Sequence, residues 1–353
     1  MVNDCVRIGL SEDVSSLKAL SLRCYPYLKR YDVLSYYKLC AISRASGILK
    51  NFKKAKRKSR HVRVPYIWKP QLVACYGFKI QDGCLLLPSR VHERIRITLN
   101  RHTLEVLSDP DINVRSVTIT ADTLSLAIAK EPEMFKPIGL VGLDSNLNNI
   151  TLVDSKNSVE RYDLSGAAVL KSRYREVKSH FVRNDVRART RICRKYGQKQ
   201  RFKVQHLLHN ISKHVVEDAK VHQFGIVMED LTNIRKLYRK GNWQNRWYRA
   251  RMNGWSFREL QRQIEYKALW DGVPAFHVSA RGTSSTCAIC GCRCRPNAQR
   301  TLQCPNGHVL DRDINAAKNI LARGMRFVPF AHPVEAMVQE PSEIRGNPES
   351  RWM

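Results

Sequence analysis

Residues 138–155 read IGLVGLDSNLNNITLVDS and place an acid between two apolar runs. The first run, IGLVGLD, is suited to a strand buried on both faces, and it ends in Asp144. The second run, NNITLVDS, predicts the antiparallel partner of that strand. Pro132 and Pro137 come shortly before, so we expect a domain boundary there. The stretch therefore predicts a buried sheet in which one strand carries a carboxylate at its end.

Two further segments bring acids into comparable positions. FGIVMED at 224–230 predicts a second buried strand, which reaches Glu229 near its end. CPNGHVLDRDINAAKNIL at 304–321 leads Asp313 into an amphipathic helix. Basic helical segments separate the two strands, as in α/β sheets, whose strand ends and helix N-termini collect at one edge. We therefore predict an α/β fold in which Asp144, Glu229 and Asp313 converge.

Such a group of carboxylates has a chemical requirement. Three negative charges close together repel one another and raise each other's pKa, unless cations lie between them. Oxygen ligands suit Mg²⁺ or Mn²⁺, and two such ions can activate water and stabilise the leaving oxygen of a phosphodiester. Taken singly, Asp144 could be a turn residue, Glu229 the start of a loop and Asp313 a helix N-cap. The order of strand, basic helices, strand, cysteines and helix favours one shared metal site.

The charge of the chain indicates its kind of partner. Among 353 residues, 61 are Lys or Arg and 31 are Asp or Glu, which gives a formal net charge of +30. Nucleic acid would relieve the resulting self-repulsion. A ribosomal-type or chromatin-type protein that only neutralises phosphate would carry a similar charge. The hydrophobic content of 43% favours folded domains, two or three for this length.

Positive charge is concentrated in three segments. Residues 50–63 hold eight Lys or Arg and no acid, residues 171–203 hold thirteen against two acids, and residues 234–262 hold nine against one. A solvated surface is the ordinary explanation, but this density also indicates phosphate contacts. In the third segment, Trp243 and Trp247 could stack on bases or be plain surface residues.

The same segment also predicts the start of a helix. Ser256 to Glu259 read SFRE, the pattern of a capping box, in which serine and glutamate satisfy backbone N–H groups of the first turn. Phe257 begins the apolar stripe of this helix, and we therefore expect it to be a core residue.

The cysteines predict a metal site in a chain without a membrane span. No run of 18 apolar residues is present, and the first residues lack the pattern of a signal peptide. Cys287-x₂-Cys290 followed by Cys304 has the spacing of a zinc ribbon, because the CxxC turn presents both thiolates to one tetrahedral ion. A degenerate ribbon that binds no metal is the alternative. The fourth ligand stays open between His308, the best candidate by position, and two competitors, Cys292 and Cys294.

The N-terminal part changes its hydrophobic period along the chain. Residues 11–57 have apolar residues at helical spacing, whereas residues 62–132 alternate with a period of two, which predicts short antiparallel strands. Turns are predicted at Asp82-Gly83 and at Ala121-Asp122. Strands of this kind suggest a small barrel, a class that often binds oligonucleotides, although the sequence leaves its closure open.

Several of these runs resemble one known family. GLDSNLNNITLV, IVMEDLTNIR and TSSTCAICG … LQCPNGHVLDRDINAAKNIL are similar, in order and spacing, to the three RuvC motifs and the zinc ribbon of TnpB, a protein of small transposons. SFRELQRQIEYKALWDGVP is also similar to that family. The resemblance covers about residues 138–323. The N-terminal third resembles the family's helical recognition insert and wedge barrel in outline.

The resemblance implies an RNA-guided DNA endonuclease of the kind from which type V CRISPR effectors descend. By position, Asp144, Glu229 and Asp313 match the family's catalytic metal ligands, and Asp311 would be a supporting neighbour. The family implies two Mg²⁺ ions and a guide RNA transcribed from the transposon end. It also implies a double-stranded DNA target, recognised beside a short flanking motif. We accordingly expect a cytoplasmic, nucleoid-associated prokaryotic protein with one Zn²⁺ held by Cys287, Cys290, Cys304 and His308.

This resemblance divides the chain into seven segments. We expect an α/β, RNase H-like (RuvC) nuclease domain with an inserted zinc ribbon, preceded by a small wedge β-barrel that carries a helical recognition insert. In chain order the segments are the first barrel strand at 1–10, the recognition helices at 11–60, the rest of the barrel at 61–135, the first part of the nuclease domain at 136–282, the ribbon, which would contact target nucleic acid, at 283–308, the second part of the nuclease domain at 309–330 and a flexible tail at 331–353.

One position departs from the family pattern. Ser145-Asn146 stands where the family commonly has an aliphatic or small residue followed by glycine. If this turn needs a positive φ, asparagine tolerates it better than most residues. The departure leaves open an RNA-guided DNA-binding repressor without cleavage. A guide-free RuvC-type nuclease is a third possibility, disfavoured by the basic N-terminal part and the ribbon.

Overall fold

The computed structural model describes residues 1–58, 61–90, 92–181, 185–238, 243–296 and 300–326. The chain divides into two compact units, one of Met1–Glu131 and one that begins at Pro132. The segment 331–353, predicted as a flexible tail, lies outside the described residues. Within the part of the chain that is described, no helix is both long and apolar enough to cross a membrane.

The first unit opens with three helices, α1 (Val2–Ser11), α2 (Leu17–Leu28) and α3 (Ser35–Lys58). The helices predicted between 11 and 57 are thus confirmed as α2 and α3. The side chain of Ser16 caps α2 by accepting a hydrogen bond from the backbone N–H of Ala19. A shared core holds the three helices together, with Cys5, Val6, Leu20, Cys24, Leu28, Ile42, Ala45 and Leu49 fully or almost fully buried.

The prediction that residues 1–10 form the first strand of a barrel is wrong, because they lie in α1. Cys5, Val6 and Gly9 are buried at positions that share one face of a helix. A Cβ on Gly9 would lie 2.3 Å from Cδ1 of Leu49, so the absent side chain lets α1 approach α3 closely. The helical spacing of Cys5, Val6 and Gly9 was not recognised in the sequence.

The strands of the first unit form two antiparallel sheets. The remaining elements are β1 (Gln71–Ala74), β2 (Lys79–Gln81), β3 (Cys84–Arg90), β4 (Glu93–Thr98), α4 (Arg101–Leu107), β5 (Asn113–Thr120) and β6 (Leu124–Ala129). They pair in the orders β1-β5-β6 and β2-β3-β4, and no ladder between the two sheets occurs among the described residues. Ala74 and Val117 from one sheet and Leu85 and Leu87 from the other share one core. The predicted strands are confirmed, and a closed barrel stays a prediction.

Both predicted hairpin turns of this unit are present. Asp82 and Gly83 separate β2 from β3 and have φ values of 51° and 69°. Positive φ at both turn residues is the backbone of a type I′ hairpin, which Asp-Gly favours. Ala121 and Asp122 lie in the loop between β5 and β6, where the hydroxyl groups of Thr120 and Thr123 are 2.8 Å apart.

The second unit is built on a five-stranded mixed sheet. Its strands are β7 (Gly139–Ser145), β8 (Asn149–Asp154), β9 (Val159–Asp163), β10 (Phe224–Asp230) and β11 (Ala275–Ser279), in the order β11-β10-β7-β8-β9. β10 runs parallel to both of its neighbours, whereas β8 is antiparallel to β7 and β9. Every residue of β7 is buried. The predicted buried strands and the β7–β8 hairpin are therefore confirmed.

Helices cover both faces of this sheet. They are α5 (Ser165–Ser179), α6 (Val186–Val221), a 3₁₀ turn (Ile234–Tyr238), α7 (Arg246–Asn253), α8 (Phe257–Trp270) and α9 (Arg312–Met325). Residues of α6 and α8 pack on one face, and α9 packs on the other. A Cβ on Gly142 in β7 would lie 2.4 Å from the backbone oxygen of Ala317, so glycine at this position allows α9 to lie directly on β7.

The capping box predicted at Ser256 is wrong, although α8 does begin at Phe257. The Ser256 hydroxyl makes no cap and accepts a hydrogen bond from Lys171 on α5 instead. Glu259 pairs with Arg262 in the next turn. A tertiary contact thus replaces the local one that the pattern predicts. Phe257 is buried, as expected.

A small sheet precedes the last helix. It contains β12 (Arg295–Pro296), β13 (Thr301–Gln303) and β14 (Val309–Asp311), paired antiparallel in that order. α9 starts at Arg312, directly after β14. The cysteine-rich segment and the start of α9 are therefore one continuous structure.

Candidate acidic site and cysteine-histidine cluster

Two of the three predicted acids lie side by side at the ends of parallel strands. Leu143 of β7 is paired with Met228 of β10, so the next residue on each strand is Asp144 and Glu229. Only 7% of Asp144 and 8% of Glu229 is exposed. Charged carboxylates are costly to bury, so two of them at one sheet edge indicate a functional site.

The third acid, Asp313, lies in the first turn of α9 and is 5% exposed. It is not the N-cap of this helix, because Asp311 has that role. The Asp311 carboxylate accepts hydrogen bonds from the backbone N–H groups of Asp313 at 2.9 Å and Ile314 at 3.0 Å, and it also pairs with Arg161 at 2.8 Å. Because Asp311 caps the helix, the Asp313 carboxylate is free to make other contacts.

The electrostatics tie the three acids together. Burial raises the pKa of Asp144 to about 8, with further increases from the negative charges of Glu229 and Asp313, while the Asn146 amide and Arg312 act in the opposite direction. Burial also raises the pKa of Glu229, against the hydrogen bond from Thr283 and the charge of Arg323. The carboxylates therefore interact through poorly hydrated protein, the condition in which a bound cation is most favourable.

Each carboxylate has a polar partner that sequence reasoning missed. Asn146 donates to Asp144 Oδ2 at 2.6 Å, and Asn149 donates to Asp313 Oδ2 at 3.0 Å. The Arg300 guanidinium donates to both oxygens of Asp313 at 2.7 and 2.9 Å, and Thr283 donates to Glu229 Oε1. Most of these partners are far from the acids in sequence, so no local pattern could have identified them.

The Ser145-Asn146 turn does not need a positive φ. Neither residue is among the non-glycine residues with positive φ in the described part of the chain. The turn therefore does not require a residue that tolerates a positive φ. The Asn146 side chain faces the site and contacts Asp144, while the Trp255 indole N–H donates to the Asn146 carbonyl at 2.9 Å.

The cysteine-histidine cluster lies in the small sheet and its loops. The ligand atoms of Cys287, Cys290, Cys304 and His308 all lie within 4.8 Å of one another. Among the residues that the structure describes, the acids are not drawn together as tightly as this set. Three thiols and an imidazole are a donor set that suits tetrahedral Zn²⁺.

Local turns set the positions of these four side chains. Gly291 donates its N–H to the Cys287 carbonyl at 2.9 Å, closing the CxxC turn with a φ of 74°. The backbone N–H of Cys304 donates to the His308 carbonyl at 2.9 Å, which brings His308 opposite Cys304. A hydrogen bond from the Cys292 backbone, helped by the Cys304 thiol, lowers the pKa of the Cys290 thiol to about 7, toward the thiolate that metals bind.

The other two candidates for the fourth ligand lie outside this set. The Cys294 thiol is buried and donates to the Cys292 carbonyl at 3.7 Å. The Cys292 sulfur accepts a hydrogen bond from Asn306 at 3.5 Å. The geometry therefore favours His308, the residue preferred by position.

Two asparagines of α9 connect the cluster to the acidic site. Asn315 accepts a hydrogen bond from the Ala288 N–H and donates to the Thr286 carbonyl, both at 2.8 Å. Asn319 donates to the carbonyls of Thr283 at 2.8 Å and Thr286 at 2.7 Å. The Thr283 hydroxyl donates a hydrogen bond to Glu229. Residues 283–288, helix α9 and Glu229 are therefore connected by one network of hydrogen bonds.

Known proteins match this chain at several levels. Residues 257–320 match the family model described as the Cas12f1-like TNB domain. A TnpB-like protein of Methanocaldococcus jannaschii is 32% identical over 247 residues, which are 67% of this chain and 87% of that protein. InsQ of Escherichia coli (strain K12), named as an RNA-guided DNA endonuclease, is 26% identical over 275 residues, covering 65% of this chain and 62% of InsQ.

A solved structure of similar fold is a Cas12f1–sgRNA–target DNA complex determined by cryo-EM. It matches with a TM-score of 0.60 over 90% of this chain and 79% of that chain, at 14% identity. At this identity the match concerns the fold alone, and it supports the α/β fold class predicted from the sequence. The archaeal relative is similar enough to decide the family: the chain belongs to the TnpB-like proteins, which confirms the resemblance of its motifs.

Proposed function

We propose that this protein is an RNA-guided DNA endonuclease that hydrolyses phosphodiester bonds at the acidic site. The observation that carries the proposal is the placement of three buried carboxylates at one edge of the sheet, where burial and then the charges of Glu229 and Asp313 raise the pKa of Asp144. Asp144, Glu229 and Asp313 would hold two divalent ions, with Mg²⁺ the best fit to an all-carboxylate donor set. Relatives named as RNA-guided DNA endonucleases support this function.

The residues of the chain have distinct parts in this chemistry. Two bound ions would supply an activated water and stabilise the leaving oxygen. The three carboxylates provide negative oxygen ligands, and the rigid ends of β7 and β10 fix two of them. The third depends on α9, whose start is set by Asp311 and the small sheet. Burial keeps bulk water away, which strengthens the attraction between these acids and cations.

A nucleic-acid partner is supported by the surface of α6. Its N-terminal half, residues 186–203, contains no acid. Exposed cations recur there on one helical face over about 18 Å, at intervals of about 6 Å. Such a row can contact successive phosphates of one strand. Its members are Arg187, Arg191, Arg194, Lys195 and Lys199.

We also propose that the cysteine-histidine cluster holds one structural Zn²⁺. The ion would fix the ribbon and so the point at which α9 begins. The first unit would act as the wedge and recognition part, which binds a guide RNA from the transposon end and the motif that flanks the DNA target. The two sheets and four helices described in that unit are compatible with this role.

The proposal is tested by expressing the chain together with the DNA that flanks its gene. RNA that copurifies is sequenced, and the complex is incubated with Mg²⁺ and a library in which the bases beside a matched target are randomised. We expect one discrete RNA and cleavage beside one short motif. Recovery of only heterogeneous RNA, with no guide-dependent cleavage, would contradict the proposal.

The alternative, an RNA-guided DNA-binding repressor without cleavage, is not favoured by any feature of the site. All three acids are present and buried, and Asn146 makes a direct contact with one of them. Parallel binding and cleavage assays on the same target separate the two functions.

A further inference from the structure

The β7–β8 turn reaches two acids that come from different parts of the chain. It spans residues 146–148 and is closed by a hydrogen bond from the Asn146 N–H to the Asn149 carbonyl at 2.9 Å. The Asn146 amide donates to Asp144 Oδ2 at 2.6 Å, and the Asn149 amide donates to Asp313 Oδ2 at 3.0 Å. One short turn therefore fixes one oxygen of each of two carboxylates.

These amides are themselves held in place. The Asn146 carbonyl accepts the indole N–H of Trp255 at 2.9 Å, and Asn149 begins β8, paired with Asp163 of β9. The turn thus has fixed contacts on both sides. At Asp144 the amide N–H occupies one carboxylate oxygen and leaves the second oxygen with a defined direction. At Asp313 the Asn149 amide shares the carboxylate with Arg300, which donates to both of its oxygens.

A further atom of this turn lacks a partner. The Oδ1 of Asn149 is buried and accepts no hydrogen bond, although the Nδ2 of the same amide contacts Asp313. A buried acceptor without a donor costs free energy. Beside a carboxylate cluster, a water molecule on a bound cation would supply the missing donor.

We propose that Asn146 and Asn149 are positioning residues for the metal ions of the acidic site. Asn146 orients the carboxylate of Asp144, and Asn149 orients that of Asp313 and accepts a hydrogen bond from metal-bound water. The inference rests on the proposed function, since it takes the acids to be metal ligands. It gives Asn146 a role that its departure from the family motif did not indicate, and it adds Asn149, which contacts an acid 164 positions away.

The turn provides its own matched control. Asn148 lies between the two positioning residues, is exposed, and makes no hydrogen bond with either acid among the described residues. Asn146→Ala, Asn149→Ala and Asn148→Ala therefore make the same chemical change within one turn. Asn149→Ser removes the amide while keeping a polar side chain, which provides a second variant if Asn149→Ala fails to fold.

The experiment titrates Mn²⁺ into the zinc-loaded full chain and measures free and bound ion by electron paramagnetic resonance. We expect the Asn146 and Asn149 variants to bind Mn²⁺ about 10- to 100-fold more weakly, the usual effect of losing a residue that orients a metal ligand. Asn148→Ala should stay within about twofold of wild type, since it touches neither acid. Unfolding midpoints of the zinc-loaded variants without Mn²⁺ or Mg²⁺ separate metal affinity from loss of fold.

Asp144→Ala, which removes a proposed metal ligand, separates a failure of this inference from a failure of the proposed function. If it weakens Mn²⁺ binding while the Asn146 and Asn149 variants bind as wild type does, the inference is wrong and the proposed function stands. An equal loss in Asn148→Ala would also overturn the inference. If wild type and Asp144→Ala bind Mn²⁺ equally, the acids are not metal ligands, and the proposed function fails as well.

Discussion

The acidic site and the cysteine-histidine cluster both consist of residue types that bind metals, but the chain brings those residues together in different ways. The cluster takes its four side chains from residues 287–308, where tight turns bring the ligand atoms within 4.8 Å. The acidic site takes one carboxylate from each of three segments, each more than 80 residues from the next. The first arrangement depends on local backbone geometry, whereas the second depends on the packing of the whole second unit. Changes to packing should therefore affect the two sites differently.

The largest expected effect separates two neighbouring acids of β10. Glu229 is buried beside Asp144, whereas Asp230 is exposed and accepts hydrogen bonds from Thr232. Glu229→Gln should reduce guide-dependent DNA cleavage by roughly 1,000-fold or more, because it removes the negative charge of a proposed metal ligand. Asp230→Asn should stay within about threefold of wild type, as expected for an exposed side chain. Cleavage rates at saturating Mg²⁺ measure both, and equal losses would show that burial does not distinguish these acids.

The next effect concerns the link from the ribbon to the acids. Cys304→Ser should abolish zinc binding, with a stoichiometry near zero by metal analysis, because one of the four proposed ligands is lost. Cleavage should fall about 10- to 100-fold as well, since Asn315 and Asn319 connect the ribbon to α9 and Glu229. Cys292→Ser is the control and should retain zinc. Zinc loss in Cys292→Ser with retention in His308→Ala would show that the fourth ligand is Cys292.

A packing change should disturb the acidic site and leave the ribbon intact. Gly142→Ala places a Cβ 2.4 Å from the Ala317 carbonyl oxygen, so α9 must move away from β7. We expect a loss of about 1–3 kcal/mol in the free energy of unfolding by urea, together with slower cleavage and full zinc content. Gly197→Ala on α6 has no atom within 4 Å of the new Cβ and should be neutral or stabilising by up to about 1 kcal/mol. A stable Gly142→Ala variant would contradict the close packing of α9 on β7.

The smallest effect is a pH dependence that belongs to the acidic site. The pKa of Asp144 is raised from 3.8 to about 8 by burial and by its acidic neighbours. Between these values the folded chain keeps a proton that the unfolded chain releases. The free energy of unfolding without metal should therefore fall as pH rises, by at most about 1.4 kcal/mol per pH unit from this group.

Urea unfolding of the zinc-loaded chain without Mg²⁺ or Mn²⁺ at several pH values measures this slope. Asp144→Asn, which cannot ionise at this position, should show a shallower decrease. A wild-type stability that rises between about pH 5 and pH 8, with Asp144→Asn following the same curve, would show that the burial of Asp144 does not control stability.

The same contrast explains how much could be predicted from the sequence. The apolar runs that end in Asp144 and Glu229 predict buried strands, and the CxxC spacing predicts a local turn, because both depend on residues close in sequence. Asn149 and Arg300 could not be predicted as neighbours of Asp313. The first contact joins residues 164 positions apart, and the second depends on the β13–β14 pairing that places Arg300 beside Arg312. The errors at residues 1–10 and at Ser256 have different causes. The strand at 1–10 came from the family resemblance, although the buried residues there have helical spacing. At Ser256 a contact with Lys171 replaces the local cap that the pattern predicts.

The central claim is that Asp144, Glu229 and Asp313 form one metal site that cleaves DNA chosen by a guide RNA. The most direct test compares the wild-type complex with Asp144→Ala, each purified with its RNA, on a plasmid that carries the matched target in Mg²⁺. We predict that wild type cuts the plasmid, whereas Asp144→Ala binds the same target and leaves it intact. Cleavage of the matched plasmid by Asp144→Ala at the wild-type rate would contradict the claim.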